Sequence, residues 1–141
     1  MIRTALVPHS AADMFALVDD IEAYAEFLPW CSRSEVLARD EHGVHGLIEL
    51  RKGAVHKSFT THNINVPGTS IDMHLIDGPF NHLEGIWRFD ALSETACKVT
   101  LDLEYEFSST LLKMTVGPIF RHVADSLVDA FCQRAAEVYG S

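Results

Sequence analysis

The stretch from Thr110 to Tyr139 constrains the fold of this chain more than any other. Apolar residues recur at Leu112, Val116, Ile119, Phe120, Val123, Leu127, Phe131, Ala135 and Val138, with Ala124 and Val128 beside them. Steps of three and four place them on one stripe of an α-helix. Arg121, Asp125, Asp129, Gln133, Arg134 and Glu137 fall between and make the opposite face polar. A stripe this long has to be buried, and the rest of the chain has to supply the surface that buries it. Gly117-Pro118 interrupts the pattern, because proline removes a backbone bond and clashes one turn back. Either the helix kinks there, or a short turn from Leu111 to Val116 precedes a main helix with Pro118 at its first position.

Upstream, the pattern predicts a sheet. Ile2 to Pro8 reads as a first strand, ended by a proline that cannot donate to a ladder. Ser10 with Asp13 three residues on is an N-cap with a capping-box-like partner, so a helix is expected over Ala11 to Asp19. A second short helix is expected from Ile21 to Phe27, stopped by Pro29. Beyond Pro29 the period becomes two. Strands are expected around Val36-Leu37, at Val44 to Arg51, at Lys57 to Val66 with a mixed polar pattern, at Ile71 to Leu75 and at Leu83 to Phe89. Turn residues at Asp40 to Gly43, Lys52-Gly53, Pro67-Gly68 and Gly78-Pro79 separate them. The clearest strand is Cys97 to Phe107, where Cys97, Val99, Leu101, Leu103, Tyr105 and Phe107 share one face and Lys98, Thr100, Asp102, Glu104 and Glu106 the other.

Consecutive strands with short turns and no βαβ spacing predict an antiparallel meander, completed by the first strand. The fold class is therefore α+β: a curved antiparallel sheet of about seven strands wraps a long C-terminal helix, and two short helices close one end. A chain of 141 residues is a single domain, 1–141, by ordinary size.

Charge narrows the partners. A net charge of −9 argues against broad, phosphate-driven nucleic-acid binding, and DNA is not expected as a partner. Docking on a protein or through one local patch stays open. No apolar run is long enough for a bilayer span, and no signal pattern opens the chain. Cys31, Cys97 and Cys132 are odd in number and lack CxxC spacing, so reduced thiols in the cytoplasm are the expectation. Cys31 has no base or cation adjacent in sequence and reads as a passive thiol. The eight histidines show no metal-binding spacing. No nucleophile elbow, phosphate loop or metal set is present, which predicts a protein that is not an enzyme.

Several stretches are more particular than generic pattern. They are Phe27-Leu28-Pro29-Trp30-Cys31, Phe59-Thr60-Thr61, Leu75 to Phe80, Trp87-Arg88-Phe89, and the ending Val128 to Phe131, Arg134-Ala135 and Val138-Tyr139. Together they resemble, in order and over nearly the whole chain, the RatA ribosome-association toxins and the related coenzyme Q-binding proteins of the START-like superfamily. The resemblance implies a helix-grip fold with a cavity between sheet and helix. It also implies one of two roles. The first is binding ubiquinone or a similar lipid in support of respiratory quinone function; the second is a toxin that binds the large ribosomal subunit and blocks subunit association. His62 stands where the family commonly carries an arginine, so a charged contact there would be weaker and pH-dependent. The superfamily's polyketide cyclase label follows from fold kinship and brings no catalytic residue with it.

The candidate cavity set is Leu50, Phe59, Met73, Leu75, Trp87, Leu103, Tyr105, Phe120, Val123, Ala124 and Leu127, with Phe27, Leu28 and Trp30 as its plug or lid. Core packing and ligand lining both explain these residues, and residue type does not separate the two. Met73 and the aromatics suit a flat, apolar ligand, and Trp87 and Tyr105 each carry one polar atom for a carbonyl. Phe131, Ala135 and Val138 are expected as plain anchorage, and the Gly117-Pro118 break as the entrance. Arg51, Lys52 and Lys57, with His56, form the one local basic cluster. It reads as a solvated hairpin tip or as a contact for ribosomal RNA or anionic headgroups at the inner face of a membrane. Asp72 and His74 are expected to point outward together.

Overall fold

The computed structural model describes residues 1–140. Seven strands form one antiparallel sheet: β1 (Ile2–Val7), β2 (Cys31–Arg39), β3 (Gly43–Lys52), β4 (Val55–Val66), β5 (Ser70–Asp77), β6 (Phe80–Ser93) and β7 (Ala96–Phe107). Their order is β1-β7-β6-β5-β4-β3-β2, so β2 to β7 are a continuous meander and β1 adds to its β7 edge. The register slips at Cys31/Arg33, Val36/Ala38, Thr60/Thr61, Phe80/His82 and Ala91/Ser93. Such bulges bend strands and increase their twist, which curls the sheet into a grip.

Between β1 and β2 lie α1 (Ala11–Asp19), a 3₁₀ turn (Ile21–Ala23) and α2 (Tyr24–Phe27). Ser10 caps α1, its hydroxyl oxygen accepting from the Asp13 N–H at 3.0 Å. Such a cap contributes about 1 kcal/mol. The Tyr24 hydroxyl donates to Val18 O and ties the two short helices into an arch.

The C-terminal stripe is carried by two helices rather than one. α3 (Thr110–Thr115), capped by Ser109, ends at Val116, and α4 (Gly117–Tyr139) starts afresh with proline in its first turn. Proline has no N–H to lose at that position, so the break suits it. α4 buries Phe120, Val123, Ala124, Val128, Phe131 and Ala135 against the sheet. Each of the larger side chains contributes about 1.5–3 kcal/mol by leaving water. Val138 departs from the expected anchorage: it is 51% exposed, because the stripe runs past the end of the sheet. The sheet's inner face follows the predicted alternation, with Cys97, Val99, Leu101, Leu103 and Phe107 of β7 and Leu83, Trp87 and Phe89 of β6 buried.

Candidate functional site

A partly open cavity of about 80 Å³ lies between α4 and the sheet. Phe120, Val123, Ala124, Leu127 and Phe131 form its helix side. Leu50, Phe59, Met73, Trp87 and Leu103 form much of its sheet side, and Trp30, Ile21 and Tyr24 close the arch end. The sheet can approach this closely because glycines stand at two wall positions. A Cβ on Gly85 would lie 2.8 Å from Met73 Cε and 2.9 Å from Leu103 Cδ1, and one on Gly46 would lie 2.8 Å from Ile21 Cδ1.

Four residues expected in the cavity sit elsewhere. Phe27 and Leu28 lie outside it, along a surface groove of about 450 Å³ beside α4. There Phe27 packs edge-on to Phe131 at 5.4 Å and lies under the Arg134 guanidinium at 4.9 Å. Leu28 is a fully buried plug, 1% exposed. Tyr105 belongs to the far end, at 4.7 Å from Phe120, and Leu75 packs beside Gly78 in the same region.

That far end is sealed. Phe59, Phe80, Tyr105, Phe107 and Phe120 contact one another with ring centroids 4.7 to 6.3 Å apart, mostly edge-to-face. An open groove of about 1030 Å³ does sit at the Gly117-Pro118 break, but it shares no lining residue with the cavity. The expected entrance is therefore misplaced, because aromatic packing closes that side. The cavity instead shares Trp30 and Val123 with the 450 Å³ groove. Trp30 is held at this mouth by its carbonyl, which accepts from the Arg51 N–H at 2.8 Å. Phe131 was expected as simple anchorage and instead forms part of the cavity wall.

The outer groove gathers part of the basic cluster. Arg51, Lys52, Arg134 and His122 line it together with Phe27, Pro29, Trp30, Asp129 and Glu137. Arg134 is shared between Glu137 at 3.6 Å and Glu26 at 4.0 Å. Lys57 does not join: it is paired across strands with Leu50, whereas Arg51 is paired with His56. Strand neighbours alternate faces, so the two cations diverge. The Ser32 hydroxyl, donating to Glu49 Oε1 at 2.7 Å, and then His56, at 3.2 Å, hold the Glu49 carboxyl below its ordinary value.

Two polar residues were not expected in the cavity. Thr61 and Asn63, on β4, are buried in the cavity wall, and the Thr61 hydroxyl donates to Asn63 Oδ1 at 2.8 Å. Their signal was parity with Phe59, which places positions 59, 61 and 63 on one face. His62 consequently faces outward, edge-to-face with His45 at 4.6 Å. Asp72 and His74 point outward together, 3.4 Å apart. Cys31 and Cys97 are buried and Cys132 is half-buried, and burial pushes all three thiols up. Among the described residues no three His, Cys, Asp or Glu side chains come together to hold a metal. No helix among them is long and apolar enough to cross a membrane.

A curved antiparallel sheet gripping one helix, with an apolar cavity between them, defines a helix-grip protein of START-like class. The family described as "Polyketide cyclase / dehydrase and lipid transport" matches residues 7–132. The chain is 49% identical to the ribosome association toxin RatA of Pseudomonas aeruginosa, over 98% of this chain and 96% of that one. It is 32% identical to a mitochondrial coenzyme Q-binding protein of Xenopus laevis, over 93% of this chain and 55% of the other. Among solved structures, an aromatase/cyclase from Streptomyces superposes with a TM-score of 0.84 at 14% identity, covering 100% of this chain and 97% of that one, a likeness of fold alone. The chain belongs to the polyketide cyclase/dehydrase and lipid transport family, within the branch that holds the RatA and coenzyme Q-binding proteins.

Proposed function

We propose that the protein is a non-catalytic domain that docks on the large ribosomal subunit in the cytoplasm and opposes its association with the small one. The observation that carries this reading is the 49% identity to a ribosome association toxin over nearly the full length of both chains. The groove beside α4 supports it as a surface: Arg51, Lys52 and Arg134 line it with Phe27 and Trp30, and the Arg134 guanidinium lies over the Phe27 ring. Cations beside half-buried rings suit a phosphate backbone and unpaired bases.

Sucrose-gradient profiles of purified ribosomes with added protein test the reading. Free subunits should accumulate at the expense of whole ribosomes, and Arg51→Glu with Lys52→Glu should abolish the effect. An unchanged profile at excess wild-type protein ends the reading. An active double variant removes the groove from it.

A second reading, an apolar ligand such as ubiquinone or a related lipid, is favoured by the cavity itself. Ordinary ligand sites hold about 300–1,000 Å³, so at about 80 Å³ a quinone would enter only with Trp30 displaced. Mass spectrometry of organic extracts from gently purified protein tests this, with Leu127→Trp expected to abolish retention. A filled-cavity variant that still retains lipid would place the ligand elsewhere, for instance at a membrane-facing surface.

A further inference from the structure

We infer that Asn63, oriented by Thr61, is a recognition point in the cavity for the carbonyl oxygen of a neutral, otherwise apolar molecule. Asn63 is 7% exposed and Thr61 6%, both on the cavity wall. The Thr61 hydroxyl is spent on Asn63 Oδ1 at 2.8 Å, which turns the amide nitrogen the other way. Among the described residues that nitrogen makes no hydrogen bond, and it is not wholly shielded from the cavity that Asn63 lines.

Leaving a buried amide donor unpaired costs about 1–3 kcal/mol. A core designed only to pack would place an aliphatic residue here, between Val44 and Met73 across the neighbouring strands. Water is a poor substitute partner, because a buried water needs two to four polar groups around it. The wall's other hydroxyl, on Tyr24, already donates to Val18 O. A carbonyl oxygen needs only one donor, and the rest of its molecule meets apolar walls.

Charge selects further. No Lys, Arg or His lines the cavity. A carboxylate or phosphate head would lose its hydration without gaining a counter-charge, which is prohibitive in an apolar site. The complementary class is therefore a ketone- or quinone-type oxygen on a hydrocarbon frame, and not a fatty-acid or phospholipid headgroup.

This inference rests on the reading of the cavity as a ligand site, and the test separates the two. Cyclohexanone and methylenecyclohexane share a shape and differ in C=O against C=CH₂. Each is titrated into ¹⁵N-labelled protein, following the backbone signals of the cavity wall and the side-chain amide of Asn63. The Asn63 amide protons should move with the ketone and not with the alkene. Asn63→Leu should shift the ratio of ketone to alkene affinity about tenfold toward the alkene, the scale of one buried hydrogen bond. Thr61→Val, which frees the amide to turn while keeping the side-chain volume, should shift the ratio in the same direction by less. It also serves should Asn63→Leu fail to fold. Binding of both probes with an unmoved Asn63 amide and an unchanged ratio overturns the inference and leaves the cavity reading standing. Failure of both probes to bind the wild type overturns both.

Discussion

Phe131→Ala is the substitution that most directly tests how α4 is held. Phe131 is 1% exposed and meets three rings edge-on: Tyr24 at 5.3 Å, Phe27 at 5.4 Å and Trp87 at 5.3 Å. It thus joins α2, β6 and α4 at one point. Truncating a buried phenylalanine costs about 3–5 kcal/mol, depending on how far the site collapses. Collapse is poor here, because the ring already borders an 80 Å³ cavity and its neighbours are anchored on two other elements, α2 and β6. Edge-to-face pairs add about 0.5–1.5 kcal/mol each beyond burial, and all three are lost together. The loss should therefore lie at the top of the range, about 4–5 kcal/mol, or a fall in Tm of about 13–17 °C for a chain of this length. Urea denaturation with unchanged m is the assay, and Val138→Ala, at a position 51% exposed, is the control expected within about 0.5 kcal/mol. The enlarged void should also take benzene more readily, which should raise the Tm of Phe131→Ala by more than that of the wild type. A loss under about 2 kcal/mol, with no response to benzene, would mean that the site closes and that α4 is anchored elsewhere.

Two further outcomes follow from the β2–β3 hairpin. A Cβ on Gly43 would lie 2.1 Å from Asn63 O, a backbone atom that cannot give way without moving β4, so Gly43→Ala should cost at least about 1–3 kcal/mol in urea denaturation; a loss below about 0.5 kcal/mol would show the end of the hairpin to be free. Asp40 Oδ1 accepts from the His42 N–H at 2.8 Å and the Gly43 N–H at 3.0 Å, and these bonds hold its carboxyl below the ordinary 3.8. Since the native value is depressed, the stabilisation is full above the ordinary value and is lost as pH falls through the lower native one. The urea midpoints of wild type and Asp40→Asn should therefore converge below about pH 4, and a gap independent of pH would exclude the charge as its source.

The parts of the fold legible in the sequence were those written in a single period. β7 alternates from Cys97 to Phe107, and its buried and exposed faces follow that alternation. The Ser10 cap with Asp13 marked α1, which runs over Ala11–Asp19. The stripe on α4 likewise marked the burial of Phe120, Val123 and Phe131, since only one face of a helix can meet a sheet. Periodicity does not say where the opposing surface stops, and so Val138 was misjudged: its stripe position is right, but no strand reaches it. Nor does it show which aromatic rings close on one another. Tyr105 and Phe120 come from different elements, and their 4.7 Å contact, which helps seal the Gly117-Pro118 end, depends on the curl of the sheet.

The site was half legible for a related reason. Residue type marks Trp30, Leu50, Met73 and Trp87 as apolar, and strand parity marks the last three as inward, but packing and lining look alike until the space between them is known. Thr61 and Asn63 carried the sharper information. Once Phe59 is assigned inward, strand parity sends positions 61 and 63 inward too, so β4 was bound to bury a hydroxyl and an amide under α4. A buried amide must find a partner in the chain, in water or in a ligand. Thr61 satisfies the oxygen and leaves the nitrogen. The mixed polar pattern of β4, which looks in sequence like a weak strand, is thus the one place where the inner face departs from apolar packing. That departure distinguishes a cavity with chemical preference from a gap left by imperfect packing.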